Sequence, residues 1–356
     1  MNTALNRKTK FDVVVVIPFY NEEKYIVSTL DSLKKQEVSS NISWCIVFVD
    51  NGSTDKTTDI IRKFFLNTDI PYAILYEPKR GTVYSRTLGL AKAAKISKNA
   101  IMSTDADTVL PKKCIEQTYK DISRQGVQVV SGRRNTNARV DLWKRIVSKK
   151  VFNWYRKLWN LEYLIFGPYF FGSYFALKAQ LLKTIPLYNP EKHKKFLGED
   201  IVLSRRCYYV GAKFKKSSLK VLPHPRRDIA YQTKGLGNYV GNTIYSHRAR
   251  YNTDTLIFKP ISAVKTKLIQ KKILDFETKR LVWMTADAYT FWANTGYKYM
   301  NAYESFKKGL VFTGMVPKSI EKECAGLSQT GLYSVMVNKI YRQARKKLEQ
   351  YLNANN

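Results

Sequence analysis

Two carboxylates one residue apart are the feature of this chain best suited to chemistry. They lie in the stretch Ala100 to Pro111, where Ile101 and Met102 give way to Ser103-Thr104-Asp105-Ala106-Asp107-Thr108. Read as a strand, the stretch delivers Asp105 and Asp107 to one side of its carboxyl end, because side chains alternate along an extended segment. Open α/β sheets bind ligands at that end. Two hard oxygen donors so close together suit Mg²⁺ or Mn²⁺, with substrate phosphate oxygens as further ligands. The competing reading is a solvated turn, with Asp107 or Thr108 starting the helix near Pro111.

A second acidic pair, Glu199-Asp200, follows Phe196-Leu197-Gly198 and precedes Ile201, Leu203 and Cys207 on a helix. Acidic residues also belong at a helix start for dipole reasons alone. Further on, His224 stands between Pro223 and Pro225 and beside Arg226 and Arg227. A lone histidine is either a packed structural residue or a ligand. The two arginines offer planar guanidinium groups fitted to bidentate contact with a diphosphate.

Alternating strands and helices must position these groups. Phe11 to Ile17 is a Val-rich run typical of a strand buried on both faces. Pro18 to Glu23 ends it, Asn21 is a candidate helix cap, and Ile26, Leu30 and Leu33 fall at helical spacing. Trp44 to Val49 is a second buried strand. Ser53 or Thr54 is placed to cap the next helix, whose apolar face is Ile60, Ile61, Phe64 and Phe65. Tyr72 to Tyr76 is a third strand, Glu77 to Gly81 a turn, and Thr82 to Lys95 a helix. The strand ending at the paired aspartates is the fourth. The pattern predicts a doubly wound parallel sheet whose loops share one edge. That edge reads as a nucleotide crevice, although no Gly-x-Gly-x-x-Gly of a dinucleotide site follows the first strand.

The second part begins with a strand at Val127 to Ser131. An aromatic and basic helical stretch follows from Trp143 to Trp159, holding Phe152, Trp154 and Tyr155 among Lys149, Lys150, Arg156 and Lys157. It is either an amphipathic helix with aromatics turned inward or a patch suited to lipid headgroups. Leu161 to Leu177, cut by Glu162 and Gly167-Pro168, reads as core and pocket wall. Lys265 to Thr278, Arg280 to Met300 and Val335 to Leu352 read as helices that cover an acceptor cleft, dock on anionic lipid or form an oligomer contact.

The chain has 356 residues, 44% of them hydrophobic, and a net charge of +33. Residues 1–140 hold 22 Lys and Arg against 14 Asp and Glu, and residues 141–356 hold 39 against 14, so the second part carries +25. Such a field attracts nucleic acid, an anionic membrane surface or phosphorylated substrates. Cys45, Cys114, Cys207 and Cys324 lie far apart, which argues against a zinc site and for reduced thiols in a cytosolic chain. The first apolar run, Val13 to Ile17, is too short for a signal peptide or a membrane span.

The order Pro18-x-Tyr20-Asn21-Glu22, Asp50-Asn51-Gly52-Ser53-Thr54-Asp55, Arg80-Gly81 with a following Ser85-Arg86, and Asp105-Ala106-Asp107 resembles the family 2 nucleotide-sugar glycosyltransferases of GT-A fold. The resemblance covers about Val13 to Arg227. It implies that Pro18, Tyr20 and Glu22 line the base and ribose pocket and that Asp50 hydrogen-bonds the nucleobase. Asp55 is as well suited to capping the following helix. Arg80 and Arg86 are implied near base or phosphates, although the family has Asn at the positions of Arg80 and Thr87, which bears on base recognition. Asp105 is implied to face ribose and metal, and Asp107 to be the main protein ligand of a Mn²⁺ or Mg²⁺ bridging the diphosphate, with His224 completing that site. Arg226 and Arg227 would then hold the donor.

Gly172-Ser173-Tyr174-Phe175-Ala176 resembles the family's Gly-rich strand beneath sugar and acceptor, which places Gly172, Ser173 and Glu199 on the acceptor side. The alternative is a strand start that needs Gly for packing. Asp200 would be the catalytic base, taking the acceptor hydroxyl's proton during an inverting transfer. Lys234 to Gly237 resembles a gating segment of some relatives. The Gln-x-x-Arg-Trp of processive synthases is absent after Gln232, which predicts one sugar per encounter.

The expected organisation is a GT-A domain over residues 1–237, with a nucleotide-sugar half at 11–111 and an acceptor half at 112–237, followed by a helical, basic region at 238–356. The expected partners are a nucleoside diphosphate sugar, UDP-sugars first, a hydroxyl acceptor that is lipid-linked or part of a polysaccharide, and an anionic membrane surface. The expected location is cytoplasmic, peripheral on the inner face of the cell membrane. Nucleotidyl transfer to a sugar phosphate is the alternative chemistry, but its Gly-rich, phosphate-binding loop is missing after the first strand. A nucleic-acid-binding module is the non-enzymatic alternative, and no zinc-finger or RNA-recognition signature supports it.

Overall fold

The Val-rich run at the amino terminus becomes the centre of the sheet because none of its side chains needs water: Val13 to Ile17 are fully buried. The computed structural model describes residues 9–134, 149–185, 198–224, 263–314, 323 and 325–354. In chain order these form β1 (Phe11–Phe19), α1 (Ile26–Lys34), β2 (Trp44–Asp50), α2 (Thr57–Phe65), β3 (Tyr72–Tyr76), α3 (Thr82–Ile96), β4 (Ser97–Ser103), β5 (Thr108–Val109) and α4 (Cys114–Ser123). They continue as β6 (Val129–Arg134), α5 (Lys149–Phe166), β7 (Phe175–Lys178), α6 (Leu181–Thr184), α7 (Glu199–Tyr209), β8 (Phe214–Pro223), α8 (Ala263–Asn294), α9 (Met300–Thr313) and α10 (Gln329–Ala354).

The strand order is β3-β2-β1-β4-β7-β6-β8-β5. The first four strands run parallel, as expected. The expected sheet is mostly parallel, and the antiparallel part is β7, which lies antiparallel to both β4 and β6, so the sheet is mixed. Gly132 permits the tight β6–β7 contact, since a Cβ there would lie 2.1 Å from the Tyr174 carbonyl oxygen.

Alternation along β1 supplies both cores. Val13, Val15 and Ile17 join α1, α2 and α4 through Leu30, Ile61 and Ile115, while Val14 and Val16 join α3 through Leu90 and Ala93. Helix α3 lies close to the sheet at Gly89, where a Cβ would stand 2.4 Å from Val16 Cγ1. Arg86, three residues earlier, shares that inward face and is carried to the end of β4.

Several local expectations are corrected. Asn21 does not cap α1; it has φ +51 and turns its side chain to Thr54. Neither Ser53 nor Thr54 caps α2. Asp55 serves that end, accepting hydrogen bonds from the Thr57 amide and hydroxyl at 3.0 and 2.6 Å. The helix after the paired aspartates starts at Cys114, not at Asp107 or Thr108, because Thr108 enters β5. The strand expected at Val127 to Ser131 runs from Val129 to Arg134. The helical stretch expected at Trp143 to Trp159 appears from Lys149 to Phe166, and residues 135–148 lie outside the described residues.

The two helices expected around Thr278 and Arg280 are one, α8, since neither Gly nor Pro interrupts the sequence there. The chain breaks at Gly296 and Tyr297, both with positive φ, and a separate helix, α9, begins at Met300. Helix α8 packs Ile273, Leu274 and Trp283 against Leu161 and Phe166 of α5 and Val202 of α7. Helices α9 and α10 close over Tyr209, so the C-terminal helices brace the helix that begins with Glu199 and Asp200. No helix among the described residues is long and apolar enough to cross a membrane. Cys45, Cys114 and Cys207 are buried free thiols, and burial pushes Cys114 up to about 12.

Candidate active site

The loops at the carboxyl ends of β1 and β2 are tied together by side chains. The Asn21 amide donates to Ser53 Oγ at 3.1 Å, the Thr54 amide to Asn21 Oδ1 at 2.8 Å, and the Glu22 amide to Thr57 Oγ1 at 2.8 Å. Pro18 fits in a central strand because β1 pairs with β4 only as far as Val16, so its missing N–H leaves no gap on that side. Glu22 is buried and Tyr20 exposed. The Arg80 guanidinium stacks on the Tyr20 ring at 3.9 Å, over the turn where Gly52 takes φ +73. Asp50 accepts from the Ser53 amide at 2.7 Å and the Thr58 hydroxyl at 3.1 Å.

Asn51, quoted in the motif but given no role, holds the third loop. Its side-chain amide donates to the carbonyls of Glu77 and Lys79, and its Oδ1 takes the Gly81 amide at 2.6 Å.

The paired aspartates sit in a turn, not on a strand. β4 ends at Ser103, Thr104 Oγ1 donates to the Ser173 carbonyl at 2.9 Å, and the Thr108 amide returns to the Asp105 carbonyl at 3.2 Å. Asp105 pairs with Arg86 Nη2 at 2.7 Å. Asp107 is 7% exposed and lies toward β8, because the two residues of β5 pair with the end of that strand, Thr108 with Pro223. The pairing puts His224 beside Asp107: the His224 amide donates to the Asp107 carbonyl at 2.7 Å, and the imidazole packs on the Tyr25 ring at 4.3 Å. A two-residue strand leaves no hydrophobic pattern, so only the family resemblance, not the local pattern, pointed to this adjacency.

Arg86, expected near base or phosphates, is 2% exposed and holds protein partners. Nη1 donates to Ser103 Oγ at 2.6 Å and to the Gly172 carbonyl at 3.2 Å, and Nε donates to Glu199 Oε1 at 3.3 Å. Burial alone would lower its pKa, but the adjacent Asp105 and Glu199 carboxylates hold it above its ordinary value. Glu199, expected on the acceptor side, is therefore engaged by this guanidinium. Burial raises the Glu199 pKa against the pull of Arg86, and the neighbouring Asp200 adds to the rise.

Asp200 stands at the start of α7, as expected, and accepts from the Gly172 amide at 2.9 Å and from the Ile201 amide at 2.9 Å. Ser173 is buried beside Gly172. The structure thus gathers Asp105, Arg86, Gly172, Glu199 and Asp200 into one linked group, with Asp107 and His224 on the adjoining side of the Asp105 turn. Arg226, Arg227, Gln232 and Lys234 to Gly237 lie outside the described residues. Among the described residues no three His, Cys, Asp or Glu side chains assemble into a metal cluster.

Residues 14–185 match the family described as Glycosyl transferase family 2. The uncharacterized protein MJ1222 of Methanocaldococcus jannaschii is 28% identical over 247 residues, which is 64% of this chain and 86% of that protein. The UDP-N-acetylglucosamine–dolichyl-phosphate N-acetylglucosaminyltransferase of Methanococcus voltae is 24% identical over 209 residues, 54% of this chain and 80% of that protein. Three further relatives named as glycosyltransferases match 34% of this chain and between 16% and 38% of their own lengths. Mannosyltransferase PcManGT from Pyrobaculum calidifontis, solved in complex with GDP-Man and Mn²⁺, aligns over 98% of this chain and 86% of its own, at 16% identity and a TM-score of 0.46.

Proposed function

We propose that this chain, whose residues 14–185 match Glycosyl transferase family 2, carries out an inverting, metal-dependent transfer of one sugar from a nucleoside diphosphate sugar to a hydroxyl acceptor. The observation that carries the reading is the division of the carboxylates. The backbone carbonyl of Asp107 takes the His224 amide, which puts the two residues side by side, whereas the Asp200 carboxylate is tied to Gly172 beside the Arg86 group.

The Asp107 carboxylate and the His224 imidazole, carried on segments joined by a 2.7 Å backbone hydrogen bond, would hold a divalent cation together with substrate phosphate oxygens. When bound, such a cation neutralises charge on the departing diphosphate. Asp105, already paired with Arg86, is assigned to orienting the turn and facing the ribose.

Asp200 takes the proton of the acceptor hydroxyl as that oxygen forms its bond to the anomeric carbon. The bond from that carbon to the diphosphate breaks on the opposite face, and its electron pair leaves with the nucleoside diphosphate. Pro18, Tyr20, Glu22, Asp50 and Arg80 form the donor side, with the Tyr20–Arg80 stack offering a flat face to a base. Arg226 and Arg227 are assigned to the diphosphate and Ser173 to the acceptor floor.

The relative named for UDP-N-acetylglucosamine and dolichyl phosphate makes UDP-sugars the first donors to try and a lipid-linked alcohol the first acceptor. The +25 charge of residues 141–356 suits adhesion to an anionic bilayer, where that acceptor would be met. The test is turnover of a panel of nucleoside diphosphate sugars with Mn²⁺. Release of nucleoside diphosphate that disappears on chelation supports the reading; release unaffected in Asp107→Ala and Asp200→Asn overturns it.

A further inference from the structure

Glu199 and Asp200 are neighbours in sequence, yet the structure treats them differently. Glu199 points to Arg86, whose other donors go to Asp105, Ser103 and the Gly172 carbonyl. Asp200 takes the amide of that same Gly172 at 2.9 Å. Gly172 is thus a joint: its carbonyl is held by the arginine and its amide holds the second carboxylate.

The spacing leaves no room for a side chain at the joint. A Cβ on Gly172 would lie 2.9 Å from Arg86 Nη2 and 3.5 Å from Asp105 Oδ1. On the far side of Asp200, a Cβ on Gly198 would lie 2.7 Å from its Oδ1. Two glycines therefore enclose one carboxylate, one by donating to it and the other by leaving it space.

From this we infer that Arg86 is a positioning residue for the base: it sets Asp200 through Gly172 and, by engaging Glu199, determines which carboxylate of the pair meets the acceptor. The inference rests on the functional reading above for its kinetic consequence, but not for the coupling itself. A guanidinium is suited to this because its planar fork presents five N–H donors in fixed directions, whereas an ammonium is a point charge on a flexible stem. The same group contacts Asp105, so one rigid plane joins the donor-side turn to the acceptor-side helix.

Two measurements on the full chain test this. In protein labelled with ¹⁵N-glycine, the Gly172 amide resonance is expected to move in Arg86→Lys and, less far, in Ser103→Ala, which removes the 2.6 Å anchor of Nη1 without touching Gly172 or Asp200. Ser103→Ala also serves if Arg86→Lys does not fold. A Gly172 resonance that stays in place in the folded variant overturns the coupling. In the transfer assay, Arg86→Lys is expected to lower kcat about 100-fold, the scale of a misplaced reacting group. The donor KM should change less than about tenfold, since charge is conserved and uniform binding is kept. Arg86→Lys combined with Gly172→Ala should lose no more than the worse single variant, because both break one joint. Losses that multiply, or a kcat that survives while KM rises, overturn the positioning role. A coupled Gly172 in a wild-type protein that transfers no sugar would instead overturn the functional reading and leave the joint standing.

Discussion

The molecule twice places an arginine between two acids. Arg86 joins Asp105 and Glu199 at the end of the sheet; Arg280 joins Glu162 of α5, at 3.1 Å, and Glu277 of α8, at 3.6 Å. The difference is in the acids. The Asp105 and Glu199 side chains keep 24% and 23% of their exposure, whereas those of Glu162 and Glu277 keep 7% and 3%. The first group opens on loops at strand ends, where a ligand can reach it. The second is sealed between helices, and burial pushes Glu277 up to about 8. An ion pair alone does not mark a site; exposure of its acids and the backbone around them do. Arg205, buried nearby over the rings of Phe166 and Tyr169, belongs to the sealed kind, and burial lowers its pKa.

Substitutions in the two groups should therefore read out differently. The largest effect is expected at the open group: Asp200→Asn should lower transfer about 1,000-fold with melting unchanged within a few degrees, as loss of a general base does. Glu277→Gln should leave initial rates of transfer near wild type. At the sealed group, Arg280→Met strands the buried Glu162 carboxylate and should cost about 3–5 kcal/mol in urea unfolding. A loss under about 1 kcal/mol would place that ion pair among the solvent-screened ones.

Asn51→Ala lies between the two kinds, since it removes loop ties inside the site. Stranding the buried Gly81 amide should cost about 1–3 kcal/mol and weaken donor binding in calorimetric titration. A further effect is one of pH. With its folded value near 8, Glu277 retains a proton that the unfolded chain releases near the ordinary glutamate value of 4.5. Across that interval the folded state binds more protons, so stability falls as pH rises and levels off above about 8. Arg280 and Glu162 face this group. Melting of wild type and Glu277→Gln should diverge as pH rises from 5.5 to 8.5, and parallel curves would remove the effect.

The sequence was informative where local pattern and local structure coincide. The Val-rich run of β1, the helical spacing of Ile26, Leu30 and Leu33, and Glu199-Asp200 at a helix start all follow from periodicity or end chemistry, and each is where expected. Relations set by distant pairing leave no local pattern. The sheet turns mixed because β7 returns antiparallel between β4 and β6, which no strand pattern announces. His224 meets Asp107 only through the two residues of β5. The resemblance placed Arg86 near base or phosphates, but the sequence does not show its four protein acceptors, which come from segments 17 to 113 residues away. The C-terminal helices showed their periodicity, but not that α8 runs unbroken past Thr278 or that it braces α7.

The central claim is that two carboxylates in one cleft serve different substrates, Asp107 the donor with its cation and Asp200 the acceptor. Calorimetric titration of a nucleoside diphosphate into wild type, Asp107→Ala and Asp200→Asn, each with and without Mn²⁺, tests it directly. The account predicts that Asp107→Ala loses the Mn²⁺-dependent part of binding while Asp200→Asn binds as wild type does and transfers nothing. Equal loss of binding in both variants, or undiminished Mn²⁺-dependent binding in Asp107→Ala, would contradict it.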